Sequence, residues 1–232
     1  MRAASDRDSP TEDPPMRFAH AIALALPLAI ALPTIAARPA APDTRVEPAA
    51  TAPADRWLKG LTASHKQFFD APAPAGGVPL VHIMNYYDTY NSAYGVPDRD
   101  IDAVLTFYGT TTFYALNDAA WAKYRLGEFL EATDAATGKP AVANPWRTAP
   151  TILGMSLPGA GIDALQKRGA TFIVCNNALT IFSGMLAQKR GLDPAVVYAD
   201  LKASILPDVE LVPGMVVAIE QAQRAGLAYH RQ

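Results

Sequence analysis

From residue 57 onward, short apolar runs alternate with stretches whose apolar residues recur at helical spacing. Trp57, Leu58, Leu61, Phe68 and Phe69 predict a short amphipathic helix leading into the domain, and the Pro/Gly-rich residues 71–77 predict a loop. Residues 79–84 are almost continuously apolar and predict a first strand buried on both faces. A polar, aromatic stretch, 85–94, then leaves its carboxyl end. Residues 101–108 predict a second strand. Residues 111–124 predict a helix with Phe113, Leu116 and Trp121 on one face, interrupted or re-capped at Asn117 and Asp118. Gly138, Pro140 and Pro145 argue against long elements between 127 and 150. Residues 162–167 read as a helix stopped by Gly169, and 171–174 as a third strand running into a helix over 178–189 that Gly191 stops. Asp193-Pro194 opens a helix over 194–204. A short strand at 209–212, a helix from Pro213-Gly214 to Ala225 and an edge strand at 227–230 complete the chain. Strands alternating with helices predict an α/β fold, an open, mostly parallel sheet of about five strands flanked by helices. The second and third strands lie too far apart for a plain crossover, so extra helices belong between them.

The first 56 residues follow no such pattern. Residues 1–15 are polar and Pro-rich, unfit to pack a core, and read as an extension ahead of a true start at Met16. From Met16, a short basic start, an apolar run over 21–32 and the small residues Thr34, Ala36 and Ala37 have the parts of a secretory signal peptide cleaved near Ala36 or Ala37. The run is shorter than the roughly 20 residues of a spanning helix and contains Pro27. No twin-arginine pair precedes it, and no cysteine follows it at lipoprotein spacing. Residues 38–56 read as a Pro/Ala linker. The expected organisation is therefore extension and signal peptide (1–37), linker (38–56) and one α/β domain (57–232). The expected location is periplasmic or secreted, with no stable membrane span after cleavage.

Half of the 232 residues are hydrophobic and 18% are charged, enough apolar material for a core in a chain of this length. A net charge of -2 supplies no field for nucleic acid or an anionic membrane surface. The single cysteine, Cys175, rules out an internal disulfide and a Cys-rich zinc site; with no His pair at i, i+4, no metal is expected. No cofactor is expected either.

Cys175 sits where the third strand turns into a helix. In a parallel sheet, ligand crevices form at the carboxyl ends of strands. A thiol reacts as its thiolate, which the N-terminus of a helix stabilises. Asn176 and Asn177 are read as capping that helix and leaving their amide N–H groups aimed at the sulfur. Free cysteine also packs readily as a small hydrophobe, so a buried structural role stands beside the chemical one. Asn85, Tyr86, Asp88 and Tyr90 are the polar groups expected to line a crevice at the end of the first strand, the alternative being a hydrogen-bonded surface loop. His82, within an apolar run, reads as a satisfied core histidine. Gly159-Ala-Gly161 resembles a phosphate-binding turn without its third glycine, and Pro213-Gly214 at a helix start suits an anion but needs none.

The segments 116–128, 137–140, 144–145, 172–178 and 212–229, taken together and in this order, resemble secreted bacterial members of the DsrE/DsrF-like family over about residues 78–231. The resemblance implies an α/β fold of the YchN type and homo-oligomers, trimers or hexamers. It also implies persulfide sulfur carried on a cysteine in a cleft, the role that falls here on Cys175, with a protein partner that donates or accepts sulfur. Relay members of the family work in the cytoplasm, whereas this chain reads as exported. Two expectations follow: an exported carrier of sulfane sulfur on Cys175, or a non-catalytic periplasmic ligand-binding or oligomeric assembly protein with a buried structural cysteine.

Overall fold

The computed structural model describes residues 53–232. The segments expected to be extension and signal peptide (1–37), and most of the expected linker (38–56), lie outside the described residues. A 3-10 turn, Pro53–Gly60, starts within the stretch read as linker and leads to strand β1, His65–Asp70. The elements that follow are helix α1 (Val78–Tyr94), strand β2 (Ile101–Phe107), a 3-10 turn Gly109–Ala115, helices α2 (Asp118–Tyr124) and α3 (Leu126–Phe129) and the short strands β3 (Thr151–Ile152) and β4 (Met155–Ser156). Helix α4 (Ile162–Lys167), strand β5 (Thr171–Cys175), helices α5 (Asn176–Arg190) and α6 (Pro194–Ala203), strand β6 (Val209–Val212), helix α7 (Met215–Arg224) and strand β7 (Ala228–Arg231) end the chain.

The main sheet runs β6-β5-β2-β1-β7 and every neighbouring pair is parallel, so this is an α/β fold with a five-stranded parallel sheet flanked by helices. β3 and β4 form a separate antiparallel hairpin. Alternate residues of each strand face opposite ways. Phe69, Leu105, Phe107, Phe172 and Val174 point into the larger core, closed by α1, α4, α5 and α6. Phe68, Val104, Ile173, Cys175 and Val212 point to the other side, closed by Trp57 and Leu61 and by Met215, Ala218 and Ala222 of α7.

Three expected elements are corrected. The helix expected from Trp57 to Phe69 is a 3-10 turn followed by β1. Trp57, Leu61 and Phe68 share one face of the sheet, which produces the apparent helical spacing. The strand expected at 79–84 is the first half of α1: Leu80, Ile83 and Tyr87 are its buried stripe, at i, i+3 and i+7, and Pro79 sits in the first turn, where no N–H is missed. The single helix expected over 111–124 is split. Residues to Ala115 are 3-10, and the Asn117 side chain accepts the Ala120 N–H at 3.0 Å to start α2. The irregular segment after α3 is pinned by buried Asn144, whose Nδ2 donates to the Tyr114 and Leu116 carbonyls at 2.7 and 2.8 Å.

Candidate functional site

β5 leaves the sheet through α5, which packs in the larger core, and β6 leaves through α7, which packs on the other face. Adjacent parallel strands whose connections depart to opposite faces make a topological switch point, the place where ligand crevices ordinarily form in such sheets. Cys175 is the last residue of β5 and pairs in register with Val212, the last residue of β6. The thiol therefore lies at this switch point, between the starts of α5 and α7.

The local sequence explains how it is held. Cys175 has extended backbone angles and is itself the N-cap of α5: its Sγ accepts the Ala178 N–H at 3.4 Å. It also accepts the Met215 N–H of α7 at 3.3 Å. Gly214, the N-cap of α7, offers no side-chain cap, which leaves that first-turn N–H to the sulfur. Both helix starts thus present a main-chain N–H to one sulfur. The side chain is nonetheless only 5% exposed.

The expectation that the Asn176 and Asn177 amides face the sulfur is corrected. The donors are Ala178 and Met215, because Cys175 occupies the cap position itself. The Asn177 N–H goes instead to the Pro213 carbonyl at 3.3 Å, tying the two helix starts together. Asn176 Oδ1 accepts the Tyr198 hydroxyl at 2.6 Å and so fixes α6 against the start of α5. Asn176 and Asn177 thus stand next to the sulfur at the switch point and hold the surrounding helices in place.

Asn85, Tyr86, Asp88 and Tyr90 are not at this switch point. They lie on α1, on the opposite side of the sheet from Cys175. Asn85, Tyr86 and Tyr90 do come together, lining a cleft of about 250 Å³ with Gln67, His82 and His230. Asp88 is directed away to Arg168, at 2.6 Å. His82 is not in a strand: its Nδ1 meets Gln232 Oε1 at 2.5 Å and its ring stacks on His230, 5.3 Å between centroids. The phosphate-like glycines serve packing, since a Cβ at Gly161 would meet the Thr148 carbonyl oxygen at 2.4 Å.

Sequence reasoning missed a polar group on the Cys175 face. Asp70, the last residue of β1, is 1% exposed. Its Oδ2 accepts the Tyr229 hydroxyl at 2.5 Å and its Oδ1 the Thr106 hydroxyl at 3.5 Å. Tyr108 directly follows the end of β2, whose Phe107 is the register partner of Val174, and packs against the same core as Cys175. Burial, then the Asp70 carboxylate, pushes the Tyr108 hydroxyl well above its ordinary range; hydrogen bonding to Asp70 raises Tyr229 too. Both tyrosines thus stay protonated donors toward a buried acid. The available signal was an acid closing the Phe-Phe-Asp end of an apolar strand, hidden by reading that strand as a helix.

Among the described residues, no group of three or more His, Cys, Asp or Glu is placed to hold a metal ion, and no helix is long and apolar enough to cross a membrane. No protein-family model, curated protein or solved structure matches the chain.

Proposed function

We propose that this chain is an exported DsrE/DsrF-like carrier of sulfane sulfur, with Cys175 as the acceptor. One observation carries the reading: the only thiol of the chain sits at the switch point of a parallel sheet, and its sulfur receives N–H groups from the starts of two helices. In the forward step the Cys175 thiolate attacks the outer sulfur of a donor persulfide. The donor S–S bond breaks, the donor thiolate leaves with the electron pair, and Cys175 carries the persulfide. An acceptor thiolate then takes the outer sulfur and Cys175 leaves as thiolate, so no external oxidant or reductant enters. The N–H groups of Ala178 and Met215 meet Sγ, the atom that attacks in the first step and leaves in the second. Tyr108 packs in the same core as the sulfur, and Asn176 and Asn177 tie the start of α5 to α6 and to the start of α7.

The residues at 16–37 support export, and recovery from a periplasmic fraction should give an N-terminus near residue 37 by terminal sequencing; an intact Met1 or Met16 contradicts export. The resemblance supports a homo-oligomer, a trimer or hexamer, to which the exposed Ile181, Met185 and Val196 offer apolar surface.

The second reading, a non-catalytic ligand-binding or assembly protein with a structural cysteine, is favoured by the 5% exposure of Cys175. Alkylation of native against urea-unfolded protein separates the two. A sulfur carrier is labelled by iodoacetamide while folded, more slowly than when unfolded. Labelling only after unfolding contradicts direct transfer at Cys175.

A further inference from the structure

A separate cavity of about 260 Å³ lies on the larger-core side, between the loop after β1 and the irregular segment that follows α3; Gly77, Tyr114, Asp134 and Trp146 are among the residues that line it. Tyr114 and Trp146 are 5% and 4% exposed and pack ring on ring, 4.3 Å between centroids. Buried tyrosine and tryptophan ordinarily satisfy their polar atoms. Trp121 does, donating to the Phe113 carbonyl at 3.0 Å. The Trp146 indole N–H and the Tyr114 hydroxyl have no hydrogen-bond partner among the described residues, yet neither is sealed within protein; the cavity is the space they border. Burial pushes the Tyr114 hydroxyl up to about 12, which keeps it a donor.

The start of α1 reaches the same place. This 17-residue helix has no side-chain cap, and its N-cap, Gly77, has a left-handed φ of 86°. A Cβ there would lie 3.6 Å from Trp146 Nε1, so the indole nitrogen faces Gly77 at close range. The helix start has no free donor at this place: the Gly77 N–H donates to the Pro74 carbonyl at 2.7 Å, the Val78 N–H donates to the Ala75 carbonyl, and Pro79 has none. The donors that border this small volume are the Trp146 and Tyr114 side chains. Asp134 is the one charged residue in the lining, and the Thr137 hydroxyl and N–H, at 2.7 and 2.8 Å, hold its carboxyl below the ordinary range. With an ionised acid and no lysine or arginine in the lining, the cavity lacks the cations that a phosphate dianion needs.

We propose that this cavity binds a small uncharged organic molecule through one carbonyl oxygen of amide type, received by Trp146 Nε1–H and Tyr114 Oη–H, with its carbon chain against Pro74 and Pro145. The test is titration of the full chain with propionate, propionamide and inorganic phosphate, read by the ¹⁵N-shift of the assigned Trp146 indole resonance. Saturable shifts at millimolar concentration with propionamide are expected, as suits so small a probe. Propionate should bind more weakly, because the Asp134 carboxylate repels an anion and no cation in the lining offsets it. Trp146→Phe and Tyr114→Phe keep the ring packing, and each should weaken binding about ten-fold, read from the Gly77 amide, with melting curves reporting that the variants remain folded. The proposal is overturned if propionamide does not saturate, if propionate or phosphate binds more tightly, or if the folded variants bind as the native chain does. Because Cys175 is on the other face, Cys175→Ser leaves this binding unchanged whatever becomes of sulfur loading.

Discussion

A Cβ on Gly127 would stand 2.2 Å from the Ala141 carbonyl oxygen and 2.5 Å from its nitrogen. Both are main-chain atoms that cannot swing aside, so Gly127→Ala should destabilise the protein by about 3 kcal/mol, read as a fall in the urea midpoint; a midpoint within a few tenths of a kcal/mol of the native value contradicts this packing. Cys175 is the second residue whose local role is measurable by itself. Its sulfur caps α5 and meets α7, so Cys175→Ser, which keeps an acceptor, should melt close to the native chain. Cys175→Ala, which removes the cap, should lose about 1 kcal/mol. Equal stability of the two variants would show that the two N–H contacts carry no stability.

At the scale of elements, Arg168 joins the end of α4 to α1 and to the turn before β2. It reaches Asp98 through Nε at 2.9 Å and Nη2 at 3.1 Å, Asp88 at 2.6 Å and Asn91 at 2.8 Å, over the face of Tyr87 at 4.7 Å. Hydrogen bonding to Arg168 holds the Asp98 carboxyl below its ordinary value. A carboxyl depressed in the folded state stabilises that state above its unfolded pKa of about 3.9, and this contribution is lost as pH falls through the folded value. Denaturant midpoints measured from pH 6 to pH 2 should therefore fall more steeply for the native chain than for Asp98→Asn. Parallel curves would contradict the coupling.

The same scale explains what the sequence revealed and hid. β2, β5, β6, α4, α6 and the stop at Gly191 were legible because their signals are local: Asp193 caps α6 through the Ala195 and Val196 N–H groups, as its place before Pro194 implies. α1 was not legible as a helix because Val81 and Met84 fill in beside the buried stripe of Leu80 and Ile83, turning a period of 3.6 into an unbroken apolar run. The error propagated. With α1 read as a strand, Asn85, Tyr86, Asp88 and Tyr90 were assigned to a crevice they do not touch, while Asp70 and Tyr108 went unnoticed. Cys175 was placed correctly at a strand end, because Phe172-Ile-Val is β-branched and apolar and the helical pattern starts directly after it. The Met215 N–H on its sulfur joins residues 40 apart in the chain and leaves no local trace.

For the whole molecule, the decisive feature is the departure of α5 and α7 to opposite faces. It sets two helix starts at the thiol and leaves the Trp146 cavity on the other side of the sheet. The described residues, 53–232, fall within one compact unit, so a chain beginning at residue 53 should fold with a melting temperature close to that of the longer chain; a large loss contradicts the boundary. The most direct test of Cys175 as a sulfur acceptor is the intact mass of the reduced, folded protein after exposure to polysulfide and removal of the excess, with Cys175→Ser alongside. The account expects one or more added sulfur atoms on the native protein and none on the variant. An unchanged native mass, or equal gains on both, would contradict it.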